Sequence, residues 1–191
     1  FHITAYTYGP DDGSKMRGRL INTFDRVVEI GNISDIDAAR RIYADHIDIL
    51  VDLKGHTQNS RSGILALRPA PRQINYLGYP GTMGADFVDE LIADPFTIPL
   101  DHQKHYTEKI LHLPHCYQPN DRLRSRLPAP TRASCALPDD GVVFCCFNQT
   151  YKITPELFNI WCRLLIDVPD SMLWLYASTT FSEASLKREA R

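Results

Sequence analysis

The stretch that most constrains the fold is a helical pattern running straight into an apolar segment. Ser34-Asp35-Ile36-Asp37 resembles a capping box with Asp in place of Glu, and Ile36, Ala39, Ile42 and Tyr43 then share one helical face. This predicts a helix over residues 35–45. Ile47-Asp48-Ile49-Leu50-Val51-Asp52-Leu53 follows at once and is apolar over most of its length, the pattern of a central parallel strand covered by helices on both faces. Alternation of such strands with helices specifies an α/β class with parallel sheets.

The same rhythm extends to either side. Residues 3–8 read as a strand, Gly9-Pro10-Asp11-Asp12-Gly13 as a turn and residues 16–23 as a short helix. Further along, the pattern predicts a helix near 62–67, a strand over 73–77, a strand around 90–93, a helical turn near 100–105 and a strand over 109–113. Between residues 118 and 131 the composition shifts to Pro, Arg, Asn, Asp and Ser, as in an interdomain linker. A second α/β unit then begins with a buried strand over 142–147. Thr154-Pro155 opens its helix, with Leu157, Ile160, Trp161, Leu164 and Leu165 on one face, and a strand over 172–176 follows.

Bulk properties exclude several function classes. A net charge of -2 over 191 residues disfavours a protein that coats nucleic acid, which requires a surplus of Lys and Arg. Nothing approaches the roughly 20 apolar residues of a membrane span, and no signal segment is recognisable, so a cytoplasmic protein with no membrane partner is expected. The five cysteines have neither zinc-ribbon nor disulfide-framework spacing and are expected to be reduced and mostly buried.

Three loops follow strands where open α/β sheets bind ligands, the first being the polar, irregular stretch over residues 54–62 after the central strand. Gly78-Tyr79-Pro80-Gly81-Thr82-Met83-Gly84 permits close backbone approach, although a tight crossover turn explains the glycines equally well. Asn148-Gln149-Thr150-Tyr151-Lys152 precedes a helix N-terminus, where N–H groups, the helix dipole and an ammonium favour a phosphate; an ordinary solvated loop is the alternative. Three patterns are set aside: Asp35 and Asp37 have DxD spacing but sit where Asp caps a helix, the pairs His102/His105 and His112/His115 lack further ligands, and Cys145-Cys146 reads as core packing.

Four segments together resemble glycosyltransferase family 41, the protein O-GlcNAc transferase group with its SPINDLY-type members. They are Leu67-Arg68-Pro69-Ala70-Pro71, Leu77 through the Gly84 loop, Tyr106-Thr107-Glu108-Lys109, and Phe147-Asn148-Gln149-Thr150-Tyr151-Lys152-Ile153. The likeness runs in order along essentially the whole chain. It implies a GT-B architecture of two Rossmann-like lobes: residues 1–117 as the C-terminal part of the N-terminal lobe, 118–135 as linker, and 136–191 as the start of the nucleotide-binding lobe. It implies a protein O-glycosyltransferase whose partners are a nucleotide-sugar donor and acceptor proteins, with no metal or other cofactor.

The resemblance places Lys152 on the donor diphosphate as the catalytic cation. It places Asn148 and Gln149 on the nucleotide, and Leu77, Gly78, Pro80, Gly81 and Thr82 on the sugar side. His56 stands in Gly55-His56-Thr57-Gln58, where the family usually has Gly-Tyr-Thr, and can still meet a phosphate or hydroxyl. UDP-GlcNAc is the expected donor and GDP-fucose the alternative. A non-catalytic nucleotide-binding lobe pair is the rival from another class, and an unrelated Rossmann-type hydrolase or epimerase is disfavoured by the lack of G-x-G-x-x-G and of a nucleophile elbow. The family's upstream acid/base candidates, tetratricopeptide repeats and downstream His-Thr-Thr loop are not found in these residues. The chain is therefore expected to be a piece of the catalytic region, inactive alone.

Overall fold

The computed structural model describes all residues except Ser125, Arg126 and Arg191, so part of the expected linker and the last residue of the closing helical pattern lie outside the described residues. The chain divides into two compact units, Phe1–Arg122 and Leu123–Arg191.

In the first unit, β1 (Thr4–Thr7) pairs in parallel with β2 (Arg26–Glu29), and α1 (Lys15–Ile21) makes the crossover. Parallel neighbours need such a connection because a tight hairpin reverses the chain. The strand β2 is absent from the sequence reading, since Arg26-Val27-Val28-Glu29 is a short apolar pair between charges. Helix α2 (Asp35–Ala44) starts where expected, with the Ser34 Oγ accepting from the Asp37 N–H at 3.1 Å. Its buried face is Ala38, Ala39 and Ile42, which pack with Ile30 and Ile64 against Tyr6, Tyr8, Val28, Ile47 and Leu50. Ile36 and Tyr43, expected on that face, are exposed. The core stripe is rotated toward Ala38, so that Ala39 and Ile42 belong to both the expected and the observed face.

The strands β3 (Ile49–Asp52), β4 (Arg72–Tyr76), β5 (Glu90–Ala93) and β6 (Lys109–His112) form a parallel sheet in that order. Helix α3 (Ser62–Ala66) bridges β3 to β4, and a 3-10 turn (Leu100–His105) bridges β5 to β6. β3 heads this ladder instead of lying inside it, and Ile49, Val51 and Leu53 are exposed. Only alternate residues such as Leu50 turn into the helix-covered core. The interior strand β5 behaves as a buried parallel strand should: Leu91 and Ala93 are each 1% exposed.

In the second unit, β7 (Val143–Cys146) pairs in parallel with β8 (Met172–Leu175) through α4 (Pro155–Asp167), and α5 (Thr180–Glu189) follows. The Thr154 Oγ1 caps α4 by accepting from the Leu157 N–H, with Pro at the first helical position as predicted. Phe158 is the buried side chain of this helix, whereas Leu157, Ile160 and Leu164 of the expected face are exposed. With two strands to cover, α4 buries a narrow stripe through Phe158. Cys145, expected in the core, is exposed, and Cys146 is half-buried, because strand alternation turns them to opposite faces. All five cysteines are free. No described helix is long and apolar enough to cross a membrane.

Candidate functional site

The parallel order of β3 and β4 brings the loops after them to the same end of the sheet. At the end of β3, the Asp52 carboxylate accepts from the N–H groups of Lys54 at 3.0 Å and Gly55 at 2.8 Å, folding the chain back. Gly55, at φ 55°, lies against Tyr79, where a Cβ would stand 2.5 Å from the tyrosine Cβ. At the end of β4, Leu77 takes φ 72°, and the Gly78 N–H donates to the Tyr76 carbonyl at 2.9 Å. A positive φ with an i to i+2 bond is a strained γ-turn. It drives Gly78 so close to the Leu53 carbonyl that no Cβ fits.

The loop is then held by four side chains. The fully buried Asn75 donates from Nδ2 to the Tyr79 carbonyl at 3.0 Å. The Tyr106 hydroxyl donates to the Pro80 carbonyl at 3.1 Å, and burial, followed by the Glu108 charge, raises its pKa so that it stays a donor. The Glu108 carboxylate accepts from the Thr82 hydroxyl at 2.7 Å and the Met83 N–H at 2.5 Å. The His56 ring meets the Met83 carbonyl at 3.0 Å through Nε2 and Tyr79 edge-to-face at 5.4 Å. Because a carbonyl only accepts, Nε2 carries the proton. In the neutral ring Nδ1 is therefore an acceptor, suited to a hydroxyl.

Leu77, Gly78, Pro80, Gly81 and Thr82, expected on the sugar side, and His56, expected to meet a phosphate or hydroxyl, thus gather in these two adjoining loops. The Thr82 hydroxyl is spent within the protein: it donates to Glu108 and accepts from the Gly84 N–H at 3.0 Å. Sequence reading missed Asn75, Tyr106 and Glu108 as holders of the loop. Gln73 and Asn75, two apart in a strand, look like a solvent face, yet both are 0% exposed. The polar pair on either side of Ile74, in a strand that runs into a Gly-rich loop, is the one signal for Asn75; Tyr106 and Glu108 carry none.

In the second unit, Asn148, Gln149 and Lys152 follow β7 and are exposed. The Lys152 N–H donates to the Gln149 carbonyl at 3.0 Å, closing a 3-10 turn (Thr150–Lys152), and its Nζ stands 6.0 Å from the Tyr151 ring centre. Lys152 therefore sits in a turn ahead of the Thr154 cap and not in the first turn of α4. That helix end is partly served already, since Pro155 has no N–H, the Leu157 N–H is capped, and Glu156 lies in the first turn. The Glu156 carboxyl is held below its ordinary value, first by its own backbone N–H and then by Thr154.

Asp35, one half of the DxD spacing, pairs with Arg61, which also donates to the carbonyls of Ile30 at 2.6 Å and Ile33 at 2.8 Å. Asp37 exchanges bonds with Ser34. Capping and loop anchoring account for both acids. The His112 Nε2 meets the Ile98 carbonyl at 2.8 Å.

A model described as Glycosyl transferase family 41 matches residues 1–126 and 118–191. The chain is 38% identical over 179 residues to the probable UDP-N-acetylglucosamine--peptide N-acetylglucosaminyltransferase SEC of Arabidopsis thaliana, covering 91% of this chain and 18% of that protein. It is 38% identical over 148 residues to the similarly named SPINDLY of Arabidopsis thaliana, covering 76% of this chain and 16% of that protein. Among solved structures, a mutant of the O-GlcNAc transferase of Thermobaculum terrenum superposes with a TM-score of 0.85 at 29% identity, over 99% of this chain and 36% of that one. The chain thus spans less than a fifth of the two plant proteins.

Proposed function

This chain belongs to glycosyltransferase family 41, and from that premise we propose that it forms part of the catalytic region of a protein O-glycosyltransferase. The reaction moves N-acetylglucosamine from UDP-GlcNAc to Ser and Thr hydroxyls of proteins. The acceptor oxygen bonds to the anomeric carbon and gives its proton to water or a base, the bond from that carbon to the β-phosphate oxygen breaks with inversion, and the electron pair leaves on UDP.

The observation that carries the reading is the buckled loop pair at the carboxyl ends of β3 and β4, where His56 and Glu108 both hold the Gly-rich segment. Its backbone at Gly78, Pro80 and Gly81 faces the sugar, and His56 accepts a sugar or acceptor hydroxyl at Nδ1. Asn148 and Gln149 hold the nucleotide. Lys152 offsets the charge that grows on the departing diphosphate, so no metal is required. Five unpaired thiols support a reducing compartment, and the cytoplasm is the proposed location.

The test is transfer by the full-length gene product to an acceptor protein, read by mass spectrometry with UDP-GlcNAc or GDP-fucose and with or without a chelator. GlcNAc transfer that persists in chelator is expected. Transfer only from GDP-fucose, or only with added divalent metal, overturns the corresponding part of the reading.

A further inference from the structure

A carboxylate with no exposure and no cation beside it needs a reason to be there. Glu108 is 0% exposed, and no Lys, Arg or His among the described residues stands within ion-pair distance of it. Burying an uncompensated charge costs several kcal/mol unless hydrogen bonds satisfy it. Both oxygens are satisfied by the same short loop: Oε2 by the Thr82 hydroxyl and Oε1 by the Met83 N–H. Charge-assisted bonds of this kind are about twice as strong as neutral ones. Glu108 is itself fixed, because Gln103 donates from Nε2 to the Glu108 carbonyl at 2.8 Å and accepts from the Ile110 N–H at 3.0 Å. Its neighbours reach the same loop, Tyr106 at the Pro80 carbonyl and Thr107 at the Thr82 hydroxyl, 3.2 Å away.

We propose that Glu108 is a positioning residue for donor binding, and that Thr82 serves as the loop side of its buckle instead of touching the sugar. The proposal rests on the glycosyltransferase reading. A carboxylate offers two acceptors and no donor, the one complement to a hydroxyl and an N–H that both point inward. An amide turns one acceptor into a donor facing Thr82. The buckle fixes the main chain of residues 80–84 before the donor arrives, so its loss appears in donor affinity.

The experiment compares Thr82→Val, Thr82→Ser, Glu108→Gln and the Thr82→Val/Glu108→Gln double variant in the full-length gene product. Thr82→Val is expected to raise the KM for UDP-GlcNAc about tenfold, the loss of roughly one charge-assisted hydrogen bond. Glu108→Gln should raise the same KM, Thr82→Ser should restore it, and acceptor KM should stay put. The double variant should be no worse than the worse single one, because both break one contact. Additive effects would mean that Thr82 meets the donor directly, and unchanged donor KM with lowered Tm would mean a structural role; either overturns the proposal. Amide hydrogen exchange at Met83 and Gly84 reads the buckle without turnover: faster exchange in Glu108→Gln supports it and unchanged exchange overturns it. An inactive wild type with a responsive buckle would instead sink the transferase reading.

Discussion

The Nε2 of His56 stands 3.0 Å from the carbonyl oxygen of Met83, a bond between loops that follow two different strands. Because β3 and β4 run in register from Ile49 opposite Arg72, their ends are level, and a side chain from one loop reaches the main chain of the next. The Met83 peptide is thereby held on both sides, its N–H by Glu108 and its carbonyl by His56. A loop gripped in this way is already ordered before any ligand binds.

The crowding at Gly78 predicts a sharp difference between two glycines of one loop. Gly78→Ala sets a Cβ against the Leu53 carbonyl, which is backbone and cannot swing away. The expected loss is about 1–3 kcal/mol. Gly84 has open space but φ +63°, so Gly84→Ala should cost about 1 kcal/mol and Gly84→Asn less, since Asn tolerates that conformation. Denaturant midpoints of the variants check the order.

The buried end of β5 predicts an acid-sensitive anchor. The Asp94 carboxylate accepts from the N–H groups of Tyr117, Thr97 and Phe96, while the Tyr76 hydroxyl donates to the Tyr117 carbonyl at 2.6 Å. Donation from Tyr117, then Thr97, holds the Asp94 carboxyl below its ordinary value. A folded-state value below the unfolded one means that the stabilisation is complete above the unfolded value and is lost as pH falls through the folded one. Wild type should exceed Asp94→Asn in Tm near neutrality, and the gap should close as pH falls below about 4. A gap independent of pH would contradict the assignment.

Much of the architecture is legible in the sequence because local signals and tertiary demands agree. Ser34 and Thr154 cap the helices they precede, and the strands at 49–52 and 143–146 follow apolar runs. Burial was less legible. Ile36 and Tyr43 lie outside the core stripe and Ala38 inside it, because periodicity finds a helical face only to within a residue or so. The Gly-rich loop could be located, but its holders could not: Glu108 lies 26 residues beyond Thr82, and Asn75 is a polar residue at a position whose neighbours are apolar. Contacts made by crossover topology leave no periodic trace.

The shifted face of α4 gives a test of packing in the second unit. Phe158→Ala should cost about 3–5 kcal/mol, whereas Ile160→Ala, at 45% exposure, should cost under about 1 kcal/mol. Thermal unfolding of the two variants reads the difference. Equal losses would restore the stripe through Ile160 as the core face.

Lys152 carries the electrostatic prediction. If it opposes charge that grows on the β-phosphate, Lys152→Ala should lower kcat by roughly 100- to 1000-fold, with a smaller effect on donor affinity. Lys152→Arg should recover part of this, because a planar guanidinium places its donors differently. Lys15→Ala, at the start of α1, is the control and should leave kcat unchanged. A near-wild-type kcat in folded Lys152→Ala would remove Lys152 from the chemistry.

The most direct test of the central claim is a single-turnover assay of the full-length gene product with UDP-GlcNAc and an acceptor protein, following modified Ser and Thr residues and released UDP together. The account predicts one UDP per GlcNAc transferred, with both slowed in step by Lys152→Ala. UDP release without acceptor modification, or neither event under conditions where the donor is bound, would contradict it.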